Sequence, residues 1–139
     1  MLVRGSYCLS SAVGNYRDLT VWKRAHALAL RVYRITRGFP GEERYGLAAQ
    51  LRRAVISVAS NIAEGSGRQS DKEQIRFLRI ARGSIQEVES QLLLSHDLGY
   101  IANDVWSVLD VETQELSKMM NGLVRSLVRR DSRLVTRDS

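Results

Sequence analysis

The spacing of apolar residues divides the chain into four helical segments. Large apolar side chains recur every three or four positions over about residues 19–37, 43–64, 70–99 and 103–130, which is the period of an α-helix that buries one stripe. Glycines and the single proline, Pro40, lie between the segments, where they end helices. Short connections favour antiparallel neighbours. The pattern therefore predicts an all-α, up-down-up-down four-helix bundle over residues 16–130, with flexible tails at 1–15 and 131–139.

Each predicted helix carries one stripe of residues that is expected to form the core. In chain order the stripes are Val21, Ala25, Leu28, Ala29, Val32 and Ile35; Leu47, Leu51, Val55, Val58 and Ile62; Phe77, Ala81, Ser84, Val88, Leu92 and Ser95; and Trp106, Leu109, Leu116, Met119, Met120, Leu123, Leu127 and Val128. Isolated helices of this length are marginal in water, so burial of these stripes must supply most of the stability.

Polar residues at three predicted helix starts suit capping roles. Ser70 followed by Glu73 matches a capping box, in which a serine hydroxyl accepts a backbone N–H bond of the first turn. Asn103 is a natural N-cap for the fourth helix. Glu42 and Glu43 suit the positive end of the second helix dipole. These signals predict where the second, third and fourth helices begin.

The second helix is unusual because a polar stripe runs beside its apolar one. Five polar side chains recur there at helical spacing: Gln50, Arg53, Ser57, Asn61 and Glu64. One interpretation is a buried network that fixes the helix register, paired with polar residues of the third helix, Ser84, Glu87 and Gln91, and including an Arg–Glu pair between helices. It predicts that Asn61→Ala and Glu64→Ala each lower stability. The other interpretation, a ligand or active-site cleft, is the less favoured one.

A further side of the second helix is also too apolar for a solvated surface. It carries Ala49, Ile56, Ala59 and Ala63, although a helix on the surface of a monomer normally has one solvated face. Small residues permit close approach of another helix, and Ile56 would otherwise face water. We therefore predict that these four residues form an oligomer interface.

Composition is consistent with one bundle domain. The chain has 139 residues, of which 44% are hydrophobic, which suffices for a core and argues against global disorder. Its single cysteine, Cys8, allows no internal disulfide and is compatible with a reducing cytoplasm. We expect neither a membrane helix nor a signal peptide, because no apolar run approaches about 18 residues and the N-terminus lacks a sustained apolar region.

Charge is distributed unevenly along the chain. The net charge is +6, yet residues 83–117 contain no lysine or arginine and hold seven acids. The first helix carries a cationic stripe without an acid among its members: Lys23, Arg24, Arg31, Arg34 and Arg37. In the predicted topology the two ends of the bundle differ. One end should gather Arg68, Lys72, Arg76, Arg125, Arg129 and Arg130, and the other Glu42, Glu43, Asp97 and Asp104.

Two interpretations of the positive charge stay open. Basic chains often contact nucleic acid, where arginine and lysine bind phosphates without reading sequence. A charged stripe is also what an ordinary solvated face presents. No interleaved ladder of aromatic residues suggests base stacking.

Catalytic signals are weak, so no enzyme activity and no cofactor are predicted. His26 and His96 are the only histidines, and neither has a nucleophile or a second histidine at a useful spacing. Metal-ligand spacing is absent. The segment from Gly65 to Arg68 has glycines like a phosphate-binding loop, but it lacks the lysine–hydroxyl ending and a preceding strand. A turn between helices is the favoured interpretation.

Several segments together resemble a known family. They are Asp18-Leu19-Thr20-Val21-Trp22, Phe39-Pro40-Gly41-Glu42, Gln50-Leu51-Arg52-Arg53-Ala54 with Ser57, Asn61-Ile62-Ala63-Glu64-Gly65, and Phe77-Leu78-Arg79-Ile80-Ala81-Arg82-Gly83-Ser84 with Glu87. Over residues 16–101 the chain is similar to the four-helix-bundle proteins encoded in intervening sequences of bacterial 23S ribosomal RNA genes. The fourth helix matches mainly in pattern, and the first fifteen residues do not match.

The resemblance implies a four-helix bundle that assembles into a homopentameric ring. It also implies a distant similarity to the accessory variability proteins of diversity-generating retroelements, which are basic pentamers that bind a reverse transcriptase and nucleic acid. No established activity follows for the closer family, because a shared fold does not by itself imply a shared function.

These observations predict a non-enzymatic, oligomeric, cytoplasmic accessory protein that binds RNA or DNA through basic surfaces and bridges it to a partner protein. The predicted nucleic-acid-binding residues are Lys23, Arg24, Arg31, Arg34, Arg37, Arg68, Lys72, Arg76, Arg125 and Arg129. The alternative is a protein-interaction scaffold that binds an acidic protein without nucleic acid. A small-molecule site between helices is a third interpretation.

Overall fold

Four α-helices follow one another in the computed structural model, which describes residues 15–138 and side chains as far as Ser132. They are α1 (Thr20–Thr36), α2 (Leu47–Ser66), α3 (Asp71–Asp97) and α4 (Asn103–Asp138). Two short 3₁₀ turns, Tyr16–Asp18 and Gly41–Glu43, precede α1 and α2. The predicted N-terminal tail, Asn15 excepted, and Cys8 within it lie outside the described residues.

The helices pack as one bundle around a single core. The helix α2 lies against both α1 and α3, while α4 packs mainly on α3 and makes a narrower contact with α1. No strand occurs between residues 15 and 138. The prediction of an all-α fold of four helices is therefore confirmed. The predicted stripe of α2 is confirmed as core, since Leu51, Val55, Val58 and Ile62 have no exposed surface. Several predicted members of the α1 and α4 stripes are only partly buried: Ala29, Ile35, Trp106, Met119, Leu123 and Val128.

The core also contains buried residues that the predicted stripes omitted, among them Ile75, Leu78 and Ile85 of α3. Thr113 and Val124 of α4 are buried although neither was predicted to be. The Thr113 hydroxyl is accommodated because it donates to the Leu109 carbonyl oxygen at 2.7 Å. Phe77 is the opposite case, since it was predicted to be core and is only half-buried. Its ring has other partners, described below.

Three predicted helix boundaries shift for identifiable reasons. The helix α2 begins at Leu47 and not at Glu43, because the chain first makes the Gly41–Glu43 turn. The helix α4 begins at Asn103 itself, so Asn103 is not the predicted N-cap; its side-chain oxygen contacts His96 Nε2 at 3.0 Å. The helix then continues to Asp138, past the predicted end at residue 130. The Ser70 cap forms as predicted, with its hydroxyl accepting from Glu73 N at 3.2 Å.

Glu43 joins the two connections at one end of the bundle. Its Oε1 accepts from Leu47 N at 3.1 Å, which caps α2, and its Oε2 accepts from the Tyr100 hydroxyl at 2.9 Å. Gly46 makes room for this arrangement, since a Cβ there would lie 2.7 Å from Glu43 Oε1. The hydrogen bond to the Glu43 carboxylate raises the pKa of Tyr100 above its ordinary value, and the negative charges of Glu43 and Glu42 act in the same direction.

Candidate nucleic-acid interface

The opposite end of the bundle is formed by the α2–α3 turn and the second half of α4. Asp71 at the start of α3 accepts two hydrogen bonds from the Arg130 guanidinium of α4. This bidentate contact raises the pKa of Arg130 above its ordinary value. It fixes the start of α3 against α4. We call this end, with Arg68, Lys72, Arg76, Arg79, Arg125, Arg129 and Arg130, the basic end.

A groove between α3 and α4 opens at the basic end. Its volume is about 680 Å³. Three cations of α3 line it, together with two acids and an apolar floor that includes Ile75 and Val128; the charged residues are Lys72, Arg76, Arg79, Glu73 and Asp131. Lys72 and Arg79 form no ion pair with any described residue. Glu73 pairs with Arg76, so the groove keeps a small surplus of positive charge, carried by Lys72 and Arg79 against Asp131. A concave surface with surplus positive charge attracts a phosphate backbone.

Two arginines flank one aromatic ring beside this groove. The guanidinium carbons of Arg68 and Arg76 each lie 4.8 Å from the centroid of the Phe77 ring. Arg68 Nη2 also donates to Glu64 Oε2 at 2.8 Å, and Arg76 Nε to Glu73 Oε2 at 3.4 Å. We refer to Arg68, Phe77 and Arg76 as the arginine–phenylalanine cluster.

A glycine explains why Phe77 lies at this position. A Cβ on Gly65 would lie 3.2 Å from Phe77 Cβ and 3.5 Å from the Gln74 carbonyl oxygen. Only a residue without a side chain lets α2 and α3 approach so closely at the last turn of α2. The helix ends directly afterwards at Ser66, and Gly67 caps it with right-handed backbone angles. The segment from Gly65 to Arg68 is thus the predicted turn between helices.

Two of the five cations in the α1 stripe form ion pairs with acids of α4. Arg24 Nη1 lies 2.7 Å from Glu115 Oε2, and Arg31 Nη1 lies 2.7 Å from Glu112 Oε1. The expectation that this stripe lacks a compensating acid is therefore wrong, because the acids lie on α4 and not on α1. Lys23, Arg34 and Arg37 of the stripe are without an ion pair among the described residues.

The end with the α1–α2 and α3–α4 connections is of mixed charge. It holds the four predicted acids, Glu42, Glu43, Asp97 and Asp104. The same connections also carry Arg37, the C-cap of α1, and Arg44, the C-cap of the Gly41–Glu43 turn. The two ends therefore differ mainly through the surplus of cations at the basic end.

The polar stripe of α2 forms a seam with α3 that is only partly buried. Ser57 Oγ lies 2.8 Å from Ser84 Oγ, and Asn61 Nδ2 donates to Ser57 O at 2.8 Å and to Ser57 Oγ at 3.1 Å. Of the predicted network, the structure thus joins Ser57, Asn61 and Ser84. Glu64 is exposed and pairs with Arg68 and not with α3.

The remaining members of the predicted network surround a small notch. Gln50, Arg53, Ser57, Ser84 and Glu87 line a volume of about 150 Å³ between α2 and α3. The predicted Arg–Glu pair between helices does not form within the described chain, since Arg53 and Glu87 both lie exposed at the rim. Gln91 is half-buried, and its Oε1 is buried without a hydrogen-bond donor among the described residues.

The predicted oligomer interface lies on the outer side of α2. Ile56 is 47% exposed, and Ala49, Ala59 and Ala63 around it are half-buried. Leu30 of α1 is equally exposed at 47%.

Both histidines stack on tryptophans. His26 lies 4.8 Å from Trp22, and His96 lies 4.6 Å from Trp106, measured between ring centroids. The described side chains contain no group of three or more His, Cys, Asp or Glu residues that could hold a metal ion. Within residues 15–138, no helix combines the length and the low polarity that crossing a bilayer requires.

Sequence reasoning did not identify two features of the basic end. Arg79 was not among the predicted binding residues, although it lines the groove. Phe77 was assigned to the core because its helical spacing matches that of Ala81 and Ser84. The sequence shows only that Phe77 follows Arg76, whereas its contacts with Gly65 and Arg68 depend on how α2 and α3 pack.

Comparisons with known proteins identify a family to which the sequence is similar and a solved structure with a similar fold. A family profile described as 23S rRNA-intervening sequence protein matches residues 17–122. A crystal structure of a protein of unknown function from the S23 ribosomal protein family of Bacteroides thetaiotaomicron superposes with a TM-score of 0.70. The two sequences are 23% identical, and the superposition covers 76% of this chain and 95% of that chain. No curated protein matches this chain.

Proposed function

The chain belongs to the family of 23S rRNA-intervening sequence proteins, and from that premise we propose that it is a non-catalytic accessory protein that binds nucleic acid at its basic end. The observation that carries this proposal is the groove between α3 and α4, lined by Lys72, Arg76 and Arg79. The family description mentions 23S rRNA, so RNA is the first ligand to test.

The structure favours the basic end over α1 as the binding surface. Arg24 and Arg31 of α1 are already paired with Glu115 and Glu112. A phosphate that binds them must compete with these carboxylates, and the local field of an ion pair is small. Lys72 and Arg79 form no ion pair among the described residues, so a phosphate that binds them displaces no paired carboxylate. The cations of α1 therefore contribute long-range attraction, and those of the basic end contact the backbone.

Two charge-matched triple variants test this proposal. One neutralises the basic end, with Lys72→Ala, Arg79→Ala and Arg125→Ala. The other neutralises α1, with Arg24→Ala, Arg31→Ala and Arg34→Ala. Each loses three positive charges. Binding to a labelled mixed-sequence RNA and DNA is measured across a salt series.

We expect the wild-type protein to bind more weakly as salt rises, because bound cations release counterions from the phosphates. The basic-end variant should reduce the slope of log K against log salt by about 2, since each phosphate contact on a single strand contributes about 0.7. The α1 variant should change it by less than half as much. Equal effects would show that only net charge matters, and no binding at low salt would exclude the proposal.

Absence of RNA and DNA binding would favour the alternative function, a scaffold for an acidic protein. A protein partner that stays bound after nuclease treatment is the result that this alternative requires. A reverse transcriptase is the candidate partner by analogy with the retroelement accessory proteins.

We also propose that copies of the chain associate through the outer side of α2. The support is the apolar surface around Ile56, which a solvated helix does not need. A homopentamer is the size that the family resemblance implies. Association in a ring would repeat the basic end on every subunit and multiply its field.

A further inference from the structure

We propose that the arginine–phenylalanine cluster binds one unpaired nucleotide of a single strand, with its base stacked on a guanidinium plane and its phosphate on the guanidinium edge. This site deepens the proposed function and rests on it. The argument begins with the geometry of Arg68, Phe77 and Arg76.

Both guanidinium groups keep a free surface. Their side chains remain 46% and 62% exposed for Arg68 and Arg76, although each contacts the Phe77 ring. The Phe77 ring covers only one side of each guanidinium, so the remaining surface faces solvent. That surface accepts a nucleobase, because stacking on an arginine plane needs no particular base.

Free hydrogen-bond donors remain on the same groups. Arg68 Nη2 donates a hydrogen bond to Glu64, and Arg76 Nε donates one to Glu73. The two Nη groups of Arg76 therefore have no acceptor among the described residues. Paired N–H groups on one edge of a guanidinium match the spacing of two phosphate oxygens. Arg76 also lines the groove between α3 and α4, so a strand that follows the groove passes this edge.

The cluster is held in position before any ligand arrives. A free arginine loses about 2 kcal/mol of rotamer freedom when it is immobilised. Here the Phe77 ring and one carboxylate for each arginine already restrict both side chains. Phe77 in turn is positioned by its close approach to Gly65. A cluster of this kind is not required for the bundle core, because Phe77 is only half-buried.

Two substitutions test the Phe77 ring and the Arg76 guanidinium plane without changing the net charge. Phe77→Leu keeps every charge and an apolar side chain but removes the ring. Arg76→Lys keeps the charge but removes the plane and the paired edge. Arg82→Lys is the matched control, since it makes the same change on α3 at a cation that neither lines the groove nor contacts the ring.

Three labelled probes of equal length are compared in low salt: oligouridylate, oligodeoxythymidylate, and an oligonucleotide with abasic sites. Phe77→Leu and Arg76→Lys should each weaken binding to the first two about tenfold, as expected for the loss of one stacked base. Arg82→Lys should bind within about twofold of the wild type. The abasic probe should bind the wild type as weakly as the intact probes bind Phe77→Leu. The stronger of the two intact probes identifies RNA or DNA as the source of the nucleotide.

The site is overturned if both Phe77→Leu and Arg76→Lys bind like the wild type. In that case the basic-end triple variant, which leaves the cluster intact, still decides the proposed function by itself. Circular dichroism on heating monitors the fold of each variant. If Phe77→Leu unfolds, the comparison of Arg76→Lys with Arg82→Lys carries the test, and equal affinities of those two overturn the site.

Discussion

At the scale of single residues, the segment Asn61-Ile62-Ala63-Glu64-Gly65 has a physical role at nearly every position. Asn61 hydrogen-bonds within the α2–α3 seam, Ile62 is fully buried, Glu64 holds Arg68, and Gly65 allows the close approach of Phe77. The sequence predicted Ile62 as core and Asn61 and Glu64 as members of one polar network, but not the partner of each side chain. Which residue contacts which depends on the position of α3, and helical spacing does not define that position.

Gly65 is expected to be intolerant of a side chain. In Gly65→Ala the new Cβ would lie 3.2 Å from Phe77 Cβ, so overpacking should lower the free energy of unfolding by about 1 kcal/mol. Gly83→Ala is the control, because nothing lies within 4 Å of a Cβ there. The control should gain about 0.5–1 kcal/mol from helix propensity. Urea unfolding measures both, and two variants of equal stability would contradict the packing argument.

Asn61 and Glu64 should differ in their contribution to stability, contrary to the expectation from sequence that both matter. Asn61→Ala removes two hydrogen bonds from a half-buried seam and should cost about 1 kcal/mol. Glu64 is exposed and pairs within its own segment, so Glu64→Ala should change stability by less than about 0.5 kcal/mol. Thermal unfolding of the two variants decides this, and the reverse order would refute it.

At the scale of helices, the connections are tied together by side chains as well as by sequence. Glu43 caps α2 and accepts from Tyr100 in the α3–α4 connection. At the basic end, the contact between Asp71 and Arg130 holds the start of α3 against α4. Helix number, helix order and the buried stripes were predictable, because apolar residues recur along the sequence with the 3.6-residue period of an α-helix. The contacts of Glu43 with Tyr100 and of Asp71 with Arg130 were not predictable, because each joins residues more than fifty positions apart in the sequence.

The contact between Tyr100 and Glu43 should make stability depend on alkaline pH. The pKa of Tyr100 is raised in the folded state, so the protonated phenol is favoured by folding. Its contribution is complete below the unfolded pKa of about 10. It is lost as the pH rises through the folded value.

The test is urea unfolding of Tyr100→Phe and the wild type at pH 7 and at increasing alkaline pH. We expect the variant to be less stable at pH 7 and the difference to shrink above pH 10. Tyr45→Phe serves as the control, since Tyr45 is 85% exposed. A difference between Tyr100→Phe and the wild type that is independent of pH would show that the hydrogen bond is not responsible.

At the scale of the whole molecule, the distribution of charge was the least predictable feature. The acid-rich stretch 83–117 and the cations of α1 were both visible in the sequence. Their pairing, Arg24 with Glu115 and Arg31 with Glu112, required knowing that α1 packs beside α4. The sequence therefore overestimated the positive field of α1. It identified the basic end correctly as a place where cations gather, but it missed Arg79 and Phe77.

Ile56 tests association of the whole chain. Ile56→Glu places a charge in the proposed apolar contact, where it would be unpaired. We expect the wild type to elute as an oligomer and the variant as a monomer in size-exclusion chromatography with light scattering. Leu93→Glu is the matched control, because Leu93 is exposed to a similar degree, 46% against 47%, on a different helix. If Ile56→Glu keeps the mass of the wild type, this surface is not the interface.

The two tryptophan–histidine stacks have a practical consequence. Trp22 lies near the start of α1 and Trp106 near the start of α4, so one indole is found at each end of the bundle. Indole emission depends on what lies against the ring. Trp22→Phe and Trp106→Phe therefore leave one fluorophore at a known end. If the two emission signals change at the same denaturant concentration, the molecule melts as one cooperative unit. If they separate, the end that loosens first is identified directly.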